Sequence, residues 1–144
     1  MASTPDALVR QWFDQLWNQG DPGTIDRMLS SDSKVFGLTP DGQPIVGPAA
    51  FKSFYEQFRA GFPNVRITVE RTVTEGNLVA AHCHCTGTHH GPFLGKAATH
   101  KPVDFRGMCI VRIDNGQFVE GWNTFDFLSC YQQIDLLPKL EGQT

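Results

Sequence analysis

At Val65 the hydrophobic pattern of this chain changes period, and that change limits the fold more than any other feature. Before it, apolar residues recur at spacings of three and four; after it, they alternate with polar ones. Leu8, Val9, Trp12, Phe13, Leu16 and Trp17 predict a helix over 5–18 with an aromatic face, stopped at Gly20. Asp21-Pro22 starts a short second helix whose apolar side is Ile25, Met28 and Leu29. A strand near 33–38 follows, and the Asp41-Gly42 turn leads to a short extended piece ending at Val46. Gly47-Pro48 opens a third helix to about Phe58, with Phe51, Phe54, Tyr55 and Phe58 as its stripe, and Gly61-Phe62-Pro63 ends it.

From Val65 the chain reads as long antiparallel hairpins. Val65, Ile67, Val69 and Val73 alternate, Glu75-Gly76-Asn77 turns, and a second strand covers 78–89. After a glycine-rich loop, Gly91 to Pro102, a hairpin runs from 103–113 through Asp114-Asn115-Gly116 to 117–126, with a helical segment at about 128–136. Helices first and hairpins after them predict an α+β domain in which a curved, mostly antiparallel sheet wraps onto N-terminal helices and can enclose a pocket. The 144 residues, 40% hydrophobic, fit one domain spanning 1–144. A chain of this size buries roughly 68–70% of its unfolded surface, so it needs no disulfide or metal to fold.

Charge removes several function classes. Twelve basic and 15 acidic residues are spread along the chain for a net charge of −3, which leaves no electrostatic footprint for nucleic acid or an anionic membrane. No apolar run approaches a membrane span, and the start MASTPDALVRQW lacks the pattern of a secretory leader, so a cytoplasmic location is expected. The four cysteines read as free thiols.

Two candidate catalytic residues come from strand alternation. Trp122, Thr124 and Asp126 share a face, with Phe118 and Glu120 in the same register. If that face is the inside of a pocket, a carboxylate beside an apolar ring should be desolvated and its pKa raised toward that of a general acid or base. The competing role for Asp126 is a cap on the helical segment near Leu128. On strand 78–89 the odd positions Val79, Ala81, Cys83, Cys85 and His89 read as the inside, and His82, His84, Thr86 and Thr88 as the outside. His89 could stabilise charge developing on a carbonyl oxygen or orient Asp126; its competing role is that of a satisfied histidine at a strand end. Trp12, Phe58 and Trp122 could form stacking walls for a flat ligand, and Phe93 or Leu94 could close over it from a mobile loop. His82 and His84 have the spacing of a two-ligand pair, but His89 falls on the opposite face and the cysteines point away, so no metal site is expected.

The element order, the segment TGTHHGPFLG at 86–95, the strand and turn RGMCIVRIDNGQFVEGW at 106–122 and the ending WNTFDFLSCYQQI resemble the SnoaL-like polyketide cyclases, or ester cyclases, of the nuclear transport factor 2-like superfamily. The resemblance covers nearly the whole chain. It implies a cone-shaped α+β barrel with a deep pocket, related to the cystatin-like folds, and commonly a homodimer formed through the outer sheet surface. The activity it implies is intramolecular aldol ring closure of an aromatic polyketide ester without metal or organic cofactor, with Asp126 as the base by position and His89 matching the histidine of the GTH segment. Where relatives often carry a Pro-Thr-Gly-like turn, this chain has Ala97 to Pro102, so substrate preference rather than fold should differ. Two other classes remain open. One is another carboxylate-driven enzyme, such as a ketone isomerase using Tyr55 as oxyanion donor or an epoxide hydrolase. The other is a domain that binds an apolar or aromatic carbonyl-containing ligand and catalyses nothing.

Overall fold

The computed structural model describes residues 3–142. Helix α1 spans Pro5–Trp12; the Thr4 side chain accepts from the Ala7 N–H at 3.2 Å, and proline occupies its first turn, where its missing N–H costs nothing. The helix then widens into a π-helical turn, Phe13–Asn18, in which the Gln19 N–H reaches back five residues to the Asp14 carbonyl at 2.8 Å. In an α-helix, residue i+5 lies about 140° around the axis from residue i. The wider turn brings it back toward the same side, so Trp12 and Trp17 are both buried against the core. The Tyr55 hydroxyl donates to the Leu16 carbonyl and Arg59 to that of Trp17, supporting the widened turn.

The remaining elements are α2 (Gly23–Met28), β1 (Leu29–Phe36), β2 (Ile45–Val46), α3 (Gly47–Gly61), β3 (Arg66–Glu75), β4 (Leu78–Thr88), β5 (Pro102–Asp114), β6 (Gln117–Phe125) and α4 (Phe127–Gln133). Strand β1 begins at Leu29, earlier than the sequence pattern suggested, because the chain passes from α2 into the sheet without a loop. The sheet order is β2-β1-β6-β5-β4-β3. Only β1 and β6 pair in parallel; every other pair is antiparallel. The architecture is therefore the expected α+β arrangement of helices against a curved sheet, with one qualification: β2 and β3 are both edges, and the sheet stays open. At the β3 edge Asn18 substitutes for a neighbouring strand, donating to the Ile67 carbonyl at 2.8 Å and accepting from its N–H at 2.6 Å.

A β-bulge in β6 decides which side chains enter the interior. Arg112 pairs with Glu120 and Ile113 with Phe118, so Val119 has no partner on β5. One extra residue reverses the faces beyond it. Phe118 points into the core, but Gly121, Asn123 and Phe125 follow it there, while Trp122, Thr124 and Asp126 are exposed. The expectation that Trp122 and Asp126 share the inner face with Phe118 is thus corrected. On β4 the alternation holds: Val79, Ala81, Cys83 and Cys85 are buried.

Candidate binding cavity

Between the helices and the concave face of the sheet lies a cavity of about 810 Å³, counted with its open mouth. Trp12, Phe13 and Trp17 of the first helix and Phe51, Phe54 and Phe58 of α3 make one wall. Ile67, Cys85, Phe105, Cys109, Val111 and Phe118 make the opposite one. A mainly apolar lining with few polar groups is that of a small-molecule site. Burial identifies the two ends. Leu29, Ser33, Phe51 and Phe118 are fully buried at one end, whereas Leu38, Phe54, Asn123, Phe125 and Phe127 are partly exposed and rim the mouth. A Cβ on Gly107 would come within 2.2 Å of the Phe125 ring, so only glycine lets that ring lie across β5.

Among the described lining residues Glu120 alone carries a formal charge. The Glu120 carboxylate accepts from Arg112 at 3.0 Å. Burial holds the Cys85 thiol far above its usual pKa, and the Cys109 thiol is raised by its hydrogen bond to Cys83 and by burial, so both are neutral. A lining this apolar suits an uncharged, largely aromatic ligand and would penalise a charged one.

Trp12 and Phe58 both line the cavity wall. Phe93 is elsewhere: it is a buried plug between Phe58 and Phe62, with ring centroids 5.6 and 5.2 Å away, and does not line the cavity. Leu94 is exposed. Trp122 stacks on Phe36 on the outer face, 7° from parallel, under the Arg112 guanidinium. Asp126 is exposed, its side chain accepting the Ser129 N–H at 3.0 Å as the cap of α4. Its chain neighbours Phe125 and Phe127 both line the cavity, and Asp126 itself does not. Tyr55, the proposed oxyanion donor of an isomerase, spends its hydroxyl on Leu16.

His89 is wholly buried outside the cavity lining and fastens the loop that follows β4. Its backbone pairs with Lys101 and His100, and its Nδ1 accepts the Thr99 N–H at 3.2 Å. Burial lowers its pKa, helped by His100 and Lys96 nearby, and protonation would turn Nδ1 into a donor facing another donor. The unfolded chain therefore binds this proton more readily than the folded one. The stabilisation is complete above the ordinary histidine range and is lost as pH falls through the lowered folded value. The stability difference between pH 8 and pH 5.5, measured by urea unfolding, should be smaller in His89→Gln than in wild type; equal differences would contradict this. His84 pairs with Asp104 at 2.6 Å and His82 with Arg71 at 2.8 Å on the outer face, and among the described residues no three His, Cys, Asp or Glu side chains converge.

Sequence reasoning missed Ser33 and Asn123. Ser33 could have been found, because it shares an alternation with Val35 on β1; Asn123 could not, because its face depends on the bulge.

Comparison with solved structures places this architecture among known ones. A protein from Jannaschia sp. CCS1 named as a SnoaL-like polyketide cyclase is 24% identical, with 93% of each chain covered and a TM-score of 0.83. IdmH from Streptomyces antibioticus, named as a polyketide cyclase, is 24% identical over 92% of this chain and 99% of its own, with a TM-score of 0.80. A protein from Acidithiobacillus ferrooxidans with the same kind of name is 21% identical over 94% and 97%, with a TM-score of 0.79. These likenesses establish the nuclear transport factor 2-like fold. Among curated proteins no sequence match is found. The SnoaL-like polyketide cyclase family model matches residues 7–134, nearly the whole of both the helical layer and the sheet, and on that match the chain belongs to the SnoaL-like polyketide cyclase family.

Proposed function

We propose that the chain closes a ring in a carbonyl-rich, polyketide-type ester by a cofactor-free intramolecular aldol reaction. The observation that carries this reading is an aromatic cavity beside which one carboxylate, Asp126, lies in the chain between two lining residues, Phe125 and Phe127. The rings of the substrate enter between Trp12, Phe58 and Cys109, leaving the carbon that lies between two carbonyls at the mouth. Seated across Phe125 and Phe127, the substrate would cover the carboxylate and exclude water from it. Asp126 takes the proton from the activated carbon, the enolate carbon attacks the ketone or aldehyde carbon, and the protonated acid returns the proton to the new alkoxide oxygen. The rest of the rate comes from holding the two carbons in contact.

A non-catalytic ligand-binding domain is the second reading. It is favoured by the same cap: Asp126 is exposed, and one of its oxygens is engaged by Ser129. Incubating the protein with a panel of aromatic polyketide methyl esters and β,γ-unsaturated ketones, followed by product analysis, separates the possibilities. A ring-closed product supports the cyclase and double-bond migration an isomerase. Recovery of every compound unchanged leaves only binding.

We also propose that the outer sheet face pairs two copies of the chain. Met108, Ile110 and Trp122 are exposed there on adjacent strands, within a border of ion pairs formed by Arg112 with Glu120 and Arg106 with Glu70. An apolar centre with a polar rim is the pattern of a stable interface. Sedimentation equilibrium should give a dimer for wild type and a monomer for Ile110→Lys; a monomeric wild type would sink the proposal.

A further inference from the structure

At the closed end of the cavity, Ser33 is 1% exposed and among the described residues its Oγ has no hydrogen-bond partner. A buried polar atom in this state is costly, and native structures hold few of them. Its neighbours explain why no protein group serves it. On β1 it lies between Leu29 and Val35, and Phe51 and Phe118 line the same cavity, none with a side-chain polar atom to offer. The β1–β6 ladder pairs at Leu29 and again from Lys34 to Phe36, and Ser33 lies in the register shift between them.

We infer that Ser33 is an anchor for a carbonyl or hydroxyl oxygen on the leading end of the ligand, and so a specificity-determining residue of the cavity. The inference rests on the cavity being the substrate site. Ser33 stands just before the regular part of the β1–β6 ladder, which runs from Lys34 opposite Glu120 to Phe36 opposite Trp122, one residue before Asn123. That places Ser33 about 13 Å along the strand direction from the level of Asn123 at the mouth. Asn123 uses its amide N–H on the Phe36 carbonyl, which leaves its Oδ1 as an acceptor at the other end. The cavity therefore presents a hydroxyl at its closed end and an amide oxygen at its mouth, separated by an apolar, ring-lined stretch. This selects flat molecules with oxygen at the inner end over fully apolar ones of equal size. An oxygen fixed at Ser33 also sets how far the ligand enters, and hence which of its carbons halts beside Asp126.

Two matched probes test this. 2-Acetylnaphthalene and 2-isopropenylnaphthalene have nearly the same shape and differ by C=O against C=CH₂. Their dissociation constants, measured by equilibrium dialysis for wild type and Ser33→Ala, form a cycle in which differences in probe hydrophobicity cancel. The preference of wild type for the ketone should fall about 5- to 10-fold in Ser33→Ala, the size of one net hydrogen bond. The thermal midpoint of the unliganded variant should be unchanged or higher, since no bond is lost. An unchanged preference, or equal weakening of both probes, would overturn the anchor and leave the cavity reading standing. Failure of wild type to bind either probe would overturn both.

Discussion

Asp126→Asn should lower ring-closing turnover by about 10²- to 10⁴-fold, the usual contribution of a positioned acid/base, with almost no loss of stability. Both halves of this expectation come from the same geometry. The side chain caps α4 by accepting the Ser129 N–H, and asparagine caps as well as aspartate does, so the helix and the rim it supports should persist. Asparagine cannot take up a proton at neutral pH. Asp126→Ala removes both functions and should add a stability loss of about 1 kcal/mol. If the carboxylate were only a cap, the order would differ: Asn would keep full activity and Ala alone would be impaired. Turnover measured for the three proteins on one reactive ester, beside their urea midpoints, separates the two roles.

Gly37→Ala should be the most damaging small substitution near the site, costing about 3–5 kcal/mol. Gly37 has φ +89°, which an L side chain adopts at a cost of about 1–2 kcal/mol, and its Cβ would come 1.9 Å from the Asn123 carbonyl oxygen. Neither backbone can give way easily, because Asn123 also ties its side chain to the Phe36 carbonyl. Gly42→Ala is the control: φ is +75° there but nothing lies within 4 Å of the added Cβ, so only the conformational cost applies. Chemical denaturation should separate the two variants by about 2 kcal/mol or more. Equal losses would mean that the close approach of β1 to β6 carries no constraint.

The hairpins were readable because their turns are chemically distinctive. Asn115-Gly116 supplies two residues with positive φ between alternating strands, and the pairing around it is as the sequence implied. The inward face of β4 was readable for a related reason, since its pairing with β5 runs without interruption from Leu78 to Thr88. The face of β6 was not. Its bulge falls at Val119, an ordinary strand residue whose side chain announces nothing, and one unpaired residue reverses every position after it. Trp122 and Asp126 were displaced from the interior by that one residue. The π-helical turn was equally silent, because Phe13, Leu16 and Trp17 satisfy α-helical spacing on paper and only the Gln19 to Asp14 hydrogen bond reveals the wider turn. His89 was placed correctly inside, but the inside at that end of β4 is a packed loop closure, not the cavity.

The central claim is that an aromatic ester enters the cavity with its reactive carbon at the mouth, and a crystal structure of Asp126→Asn with an aromatic polyketide methyl ester tests it most directly, since the substitution keeps the cap while stopping the reaction. The account predicts ring density between Trp12 and Phe58 on one side and Cys109 and Phe118 on the other, an oxygen at Ser33, and the doubly activated carbon beside position 126. Density on the outer sheet against Trp122 and Ile110, or an ester inserted with its reacting carbons at the closed end, would contradict it.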